Sequence, residues 1–157
     1  GLSNQTDLTR SESKDLIDTY YKTYPKLRNY MSNLVDDARA DGYVSTEPGR
    51  RRYLKDINSS NGVVRGAAER NAVNAPIQGS AADIIKVAMI NIHKKLAEGN
   101  FKTKMLLQVH DELVFDVPKN ELEDIKTLVK TEMESAYTLS VPLDVEVGVG
   151  NDWLEAH

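Results

Sequence analysis

The sequence predicts an α+β domain with a mostly antiparallel sheet, and three observations carry that reading. Helical stripes bounded by capping residues fill much of the chain. The strand-like runs come in pairs joined by short turns, as antiparallel neighbours do. Long helices flank those pairs as separate segments.

Thr9 and Glu12 have capping-box spacing and predict a helix through Tyr20 and Tyr21, stopped near Pro25. A second helix follows at once. Its apolar residues Leu27, Tyr30, Met31, Leu34, Val35 and Ala38 recur at core-facing spacing, and Gly42 is placed to end it. Tyr43 to Thr46 and Arg50 to Leu54 read as short strands around Glu47-Pro48-Gly49, and the polar loop from Asp56 to Gly62 leads into helix. A long helical stretch from about Val64 to Leu96 is expected to break at Pro76 and close at Gly99, with Ile77, Ala81, Ile84, Ile85, Ala88 and Ile92 on one stripe. Lys104 to Val109 and Leu113 to Val117 form the second hairpin. Asn120 and Glu123 repeat the capping-box spacing and open a helix carrying Leu122, Ile125, Val129 and Met133. Leu143 to Val149 is read as a last strand. With no linker or repeat visible, the chain is read as one piece: about 1–42 helical, 43–62 hairpin and loop, 63–98 long helical, and 103–157 hairpin, helix and strand.

Composition bounds the function. At 157 residues, 40% hydrophobic and 28% charged, the chain can bury one sizeable core. Cysteine is absent, which excludes disulfides, thiolate nucleophiles and cysteine-ligated metals and fits a reducing compartment, with the cytoplasm as default. No apolar run is long enough to span a bilayer, so no membrane partner is expected. Net charge is −4 and taken alone argues mildly against nucleic acid, yet it hides an asymmetry. Residues 1–48 sum to −2, residues 49–107 to +7 and residues 108–157 to −9.

Three constellations could carry chemistry. His110-Asp111-Glu112 puts two carboxylates and an imidazole at the tip of an apolar hairpin, a donor set for a hard divalent cation such as Mg²⁺; a solvated turn is the alternative. Neighbouring strand residues face opposite ways, so a third carboxylate would be needed nearby. Arg70, Asn74 and Gln78 recur every four residues, and all can donate hydrogen bonds. That stripe suits the DNA minor groove, where acceptors are similarly placed on different base pairs; an ordinary solvated face reads the same way. Arg50-Arg51-Arg52-Tyr53-Leu54-Lys55 could contact phosphates, or simply protect an edge strand by charge. His93 and His157 read as solvated, and Gly148-Val149-Gly150 precedes no helix and is no phosphate loop.

Taken in order, Arg50 to Tyr53, Ala67 to Asp83, Gln108-Val109-His110-Asp111-Glu112, Val145 to Gly148 and Asp152-Trp153 resemble the C-terminal end of the family A DNA polymerases of bacteria. The resemblance covers nearly the whole chain. It implies a palm sheet with part of the fingers, and a parent enzyme of replication and repair that uses two Mg²⁺ ions to join deoxynucleoside triphosphates to a primer on a template. It implies that Asp111 is a metal-binding carboxylate, with Glu112 the neighbouring acid and His110 near the primer terminus. Arg70, Asn74 and Gln78 then match residues that touch the template–primer duplex. The family's other catalytic aspartate motif, of the type Asp-Tyr-Ser-Gln-Ile-Glu, and its triphosphate-binding helix do not occur in the sequence. The expectation is therefore a fragment, inactive alone and prone to self-association through uncovered apolar surface. Two rival readings are a non-catalytic nucleic-acid-binding module and a Mg²⁺-dependent nuclease centred on Asp111 and Glu112.

Overall fold

A computed structural model describes residues 2–156, so Gly1 and His157 lie outside the described residues. Packing divides the chain into two compact units, 1–77 and 78–157. The boundary falls inside a helix, which is why no linker marks it in the sequence.

In the first unit, Leu2–Asn4 forms a 3₁₀ turn and α1 spans Arg10–Thr23. Its capping box is formed: the Glu12 N–H donates to Thr9 Oγ1 at 3.2 Å, and the Thr9 N–H donates to Glu12 Oε2 at 2.8 Å. The Thr9 hydroxyl and N–H together hold the Glu12 carboxyl below the usual range. Helix α2 spans Pro25–Asp41 with proline in its first turn, where the missing N–H costs nothing. It ends at Gly42, whose φ of 77° is the left-handed cap glycine adopts readily. Strands β1 (Tyr43–Ser45) and β2 (Arg51–Tyr53) pair antiparallel around the turn at Gly49, with Tyr43 opposite Tyr53, Val44 opposite Arg52 and Ser45 opposite Arg51. Val35, Ala38, Val44, Leu54, Ile57, Ala68, Ala72 and Ala75 form the core of this unit. Ala68, Ala72 and Ala75, which belong to the next helix, are small enough to let it approach closely. Arg39 ties that helix down, reaching Glu69 at 2.6 Å and Asp36 at 3.0 Å. The side chains are partly exposed, so each pair contributes about 0.2–1 kcal/mol.

Helix α3 spans Gly62–Glu98, capped at its start by Asn61 Oδ1, which accepts from Val63 N at 3.0 Å. The expected break at Pro76 does not occur. Proline removes one N–H and so one bond to the preceding turn, but Ala72, Ala75 and Pro76 are all buried, and packing holds the helix through the gap. The far end closes at Gly99 as expected, with the cap made one residue further on. Asn100, not Gly99, takes the left-handed conformation (φ 51°). The Phe101 N–H donates to Leu96 O at 3.1 Å and the Asn100 N–H to Ala97 O at 3.2 Å, a full Schellman cap. The predicted stripe is buried only in its second half, at Ile85, Ala88 and Ile92, while Ile77 is exposed.

In the second unit, β3 (Lys104–Val109) and β4 (Glu112–Asp116) form an antiparallel ribbon with an irregularity at Leu106. Among the described residues the sheet component is thus two small separate ribbons rather than one sheet. Helix α4 spans Leu122–Glu134 and packs Ile125 and Val129 against Ile92 and Leu96, with Phe101, Met105, Leu113 and Phe115 around them.

Two expectations fail here. The Asn120/Glu123 capping box is not made, because Asn120 sits in a 3₁₀ turn, Lys119–Glu121, and α4 begins with no side-chain cap. Leu143 to Val149 is not a strand. A strand needs a ladder partner; none pairs with this segment among the described residues, and the Val145 N–H donates to the Glu134 carboxylate instead. The short helix α5, Trp153–Ala156, folds back so closely that a Cβ on Gly148 would collide with the Ala156 carbonyl.

Glu121 fixes the entry to β3. Its carboxylate accepts from the N–H of Lys102 (2.9 and 3.1 Å), the N–H of Thr103 (3.0 Å) and Thr103 Oγ1 (2.7 Å). The Lys102 N–H and the Thr103 hydroxyl are the main causes that hold its pKa below the ordinary value. A depressed folded pKa gives stability that is complete above about pH 4.3 and is lost as pH falls through the lower folded value. Glu121→Ala is therefore expected to speed hydrogen exchange at the Lys102 and Thr103 amides at neutral pH and to flatten the acid dependence of that exchange below about pH 4. Unchanged exchange at both amides would show that the carboxylate does not hold this entry.

Candidate functional site

The hairpin tip is tighter than expected. Only His110 and Asp111 form the turn, and Glu112 already belongs to β4, opposite Val109. His110 has φ 54°, the kind of conformation that two-residue hairpin turns usually give to glycine, asparagine or aspartate. Gln108 Nε2 donates to the His110 carbonyl at 3.0 Å across the turn, which helps to hold it. Asp111 is thereby exposed at the apex, while Glu112 is half-buried one residue on. Among the described residues no three His, Cys, Asp or Glu side chains lie close enough together to hold a metal ion. Asp111 is one hard oxygen donor of the sort Mg²⁺ takes, and the third carboxylate required by the sequence reading is not supplied near it.

The polar stripe divides between the units. Arg70 and Asn74 are exposed on the part of α3 in the first unit, and Gln78 is exposed one turn later, as the first residue of the second. The Arg70 guanidinium passes close to Gly66: a Cβ placed there would lie 3.7 Å from Arg70 Nη1, an ordinary van der Waals contact. Of the basic triplet, Arg51 and Arg52 are on β2 and Arg50 is in the turn before it; all three are exposed. The Arg51 guanidinium sits 4.5 Å above the Tyr43 ring.

A sequence model of DNA polymerase family A matches residues 1–155. The chain belongs to that family. Its family A relatives include DNA polymerase I of Lactococcus lactis subsp. cremoris (strain MG1363), 54% identical over 156 residues, which are 99% of this chain and 18% of that protein. DNA polymerase I of Mycobacterium tuberculosis (strain H37Rv) is 52% identical over 153 residues, 98% of this chain and 17% of that protein. Among solved structures, the POL domain of Pol1 from M. smegmatis in complex with DNA primer-template and dNTP superposes with a TM-score of 0.96 at 49% identity, covering 99% of this chain and 28% of that one. The chain therefore spans less than a fifth of the length of the curated family A proteins it matches. Family A polymerases are generally metal-dependent, which is the class of chemistry a carboxylate at a hairpin apex can serve.

Two features escaped the sequence reading. Gln108 carries no separate signal in the sequence, because its contact with the His110 carbonyl depends on a turn two residues long. Tyr43 and Tyr53 stand opposite each other in the first ribbon. Their equal distance, five residues, on either side of Pro48 was the available signal.

Proposed function

We propose that this chain supplies one carboxylate of the metal site and part of the duplex-binding surface of a template-directed DNA polymerase. The ribbon β3–β4 would belong to the palm, and the first part of α3 to the fingers. The observation that carries the reading is Asp111, exposed at the apex of a hairpin whose base is locked into an apolar core, in a chain matched end to end by family A polymerases. In this role Asp111 holds a divalent cation, Glu112 adds negative charge beside it, and His110 lies near the primer end. Bound Mg²⁺ supplies charge stabilisation at the reacting phosphate oxygens. Exposed Arg70, Asn74 and Gln78 donate hydrogen bonds to minor-groove acceptors, which occupy similar positions whatever the base pair. Arg50, Arg51 and Arg52 neutralise phosphates.

The proposed reaction joins a deoxynucleoside triphosphate to a primer, and most of the groups that would hold the triphosphate are not found in this sequence. The 157 residues alone are therefore expected to incorporate no nucleotide. Exchanged for the matching segment of the L. lactis DNA polymerase I, they are expected to restore template-directed incorporation at a rate within about tenfold of the unmodified enzyme. A folded exchange protein that binds primer–template yet incorporates nothing would sink the proposal, and so would Mg²⁺-dependent DNA cleavage by the isolated chain, which favours a nuclease.

A further inference from the structure

We infer that the outward face of the β1–β2 ribbon is a stacking platform for unpaired bases of single-stranded DNA. The inference rests on the nucleic-acid part of the function proposed above, not on its polymerase chemistry.

Register and alternation define the face. Val44 is buried in the core of its unit, so its neighbours Tyr43 and Ser45 project from the other side of β1. Their cross-strand partners Tyr53 and Arg51 project with them. The face thus gathers two aromatic rings and a guanidinium. The Tyr43 and Tyr53 rings lie 5.7 Å apart, and Arg51 caps Tyr43. With Tyr43 held between its neighbours, Tyr53 is left 67% exposed, a large ring presented to water. Arg50 and Lys55 stand within three residues of it in sequence, with Glu47 and Asp56 as the flanking acids; Arg52, opposite Val44, projects from the other face, and with Arg51 the surround is still net basic.

That pairing of parts selects one kind of partner. Phosphates answer the basic charge, but a duplex hides its base faces inside the stack. Only an unpaired base offers a π face to a tyrosine ring, and such stacking is tolerant of sequence because every base has one. Charge alone would suit a duplex equally. The exposed ring beside it is what favours the single strand.

The test uses the 157-residue chain, fluorescein-labelled (dT)12 and a labelled blunt hairpin duplex, with binding followed by anisotropy at fixed low salt. Tyr53→Ala is expected to weaken (dT)12 binding about tenfold, the loss of one stacked base, and to change duplex binding by less than about twofold. Tyr53→Phe, which keeps the ring face, should bind (dT)12 within about twofold of the parent. Circular dichroism of each variant reports that the fold is kept. The inference is overturned if Tyr53→Ala binds (dT)12 like the parent, if it loses single strand and duplex equally, or if Tyr53→Phe is as weak as alanine. A chain that binds the duplex but not (dT)12 overturns it while leaving the polymerase reading intact. Tyr53-dependent (dT)12 binding together with an inactive exchange protein would do the reverse.

Discussion

Asp111→Ala, made in the L. lactis exchange protein, is expected to lower template-directed incorporation by about a thousandfold or more while primer–template affinity stays within about threefold. The size follows from what the carboxylate is asked to do. Metal-assisted stabilisation of charge at a phosphoryl centre is worth several kcal/mol, and each 1.36 kcal/mol is a factor of ten in rate. The selectivity follows from position. Asp111 is exposed at a turn apex, its backbone is not in the ladder, and it belongs to neither core cluster, so alanine there removes charge without opening a cavity. Glu112→Gln should cost less, since Glu112 stands on the strand beside the apex rather than at it. The measurement is single-turnover extension of a labelled primer, with affinity from anisotropy. Near-normal turnover by the Asp111→Ala protein would remove the metal role from this hairpin.

Ile92→Ala is expected to destabilise the second unit by about 3 kcal/mol. Ile92 is fully buried at the centre of the cluster that α3 and α4 form with the base of the hairpin. Removing its branched side chain forfeits the transfer energy and leaves a cavity that the surrounding Leu96, Ile125, Val129 and Phe101 can only partly fill. Urea unfolding of the 157-residue chain, followed by Trp153 fluorescence and by helical circular dichroism, checks it. A midpoint shift worth less than about 1 kcal/mol would mean that the site collapses without loss. The hairpin apex depends on this core, so the exchange protein carrying Ile92→Ala should also lose activity on mild warming, whereas Asp111→Ala should not change the melting behaviour.

The features legible in the sequence were those completed within a few residues. Thr9 meets Glu12 three positions on, and Gly42 ends α2 by its own backbone freedom, so both caps stand where the spacing put them. What failed needed a distant partner. The alternation from Leu143 to Val149 is strand-like, but no neighbouring strand completes it among the described residues. Asn120 and Glu123 have the right spacing, yet Glu121 between them is drawn to Lys102 and Thr103, and the chain there turns as 3₁₀. Pro76 reads as a breaker because the packing that holds the helix there sets its neighbours Ala72 and Ala75 in one cluster with Ala38 and Ile57, far away in sequence. At the candidate site the apex carboxylate was visible as an acidic break between apolar runs. The length of the turn, the φ of His110 and the hold of Gln108 on its carbonyl were not, because each depends on how the two strands register.

The two cores do not interleave along the chain: the first is complete by Ala75, and the second draws only on residues from Ile92 onward. During synthesis, which proceeds from the N-terminus, the first can therefore condense once Ala75 has left the ribosome. Almost none of the acidic hairpin segment has been made at that point. The carboxylates that later crowd the last third of the sequence thus emerge beside a neighbour already folded, and the nascent chain need not hold both apolar clusters open to water at once.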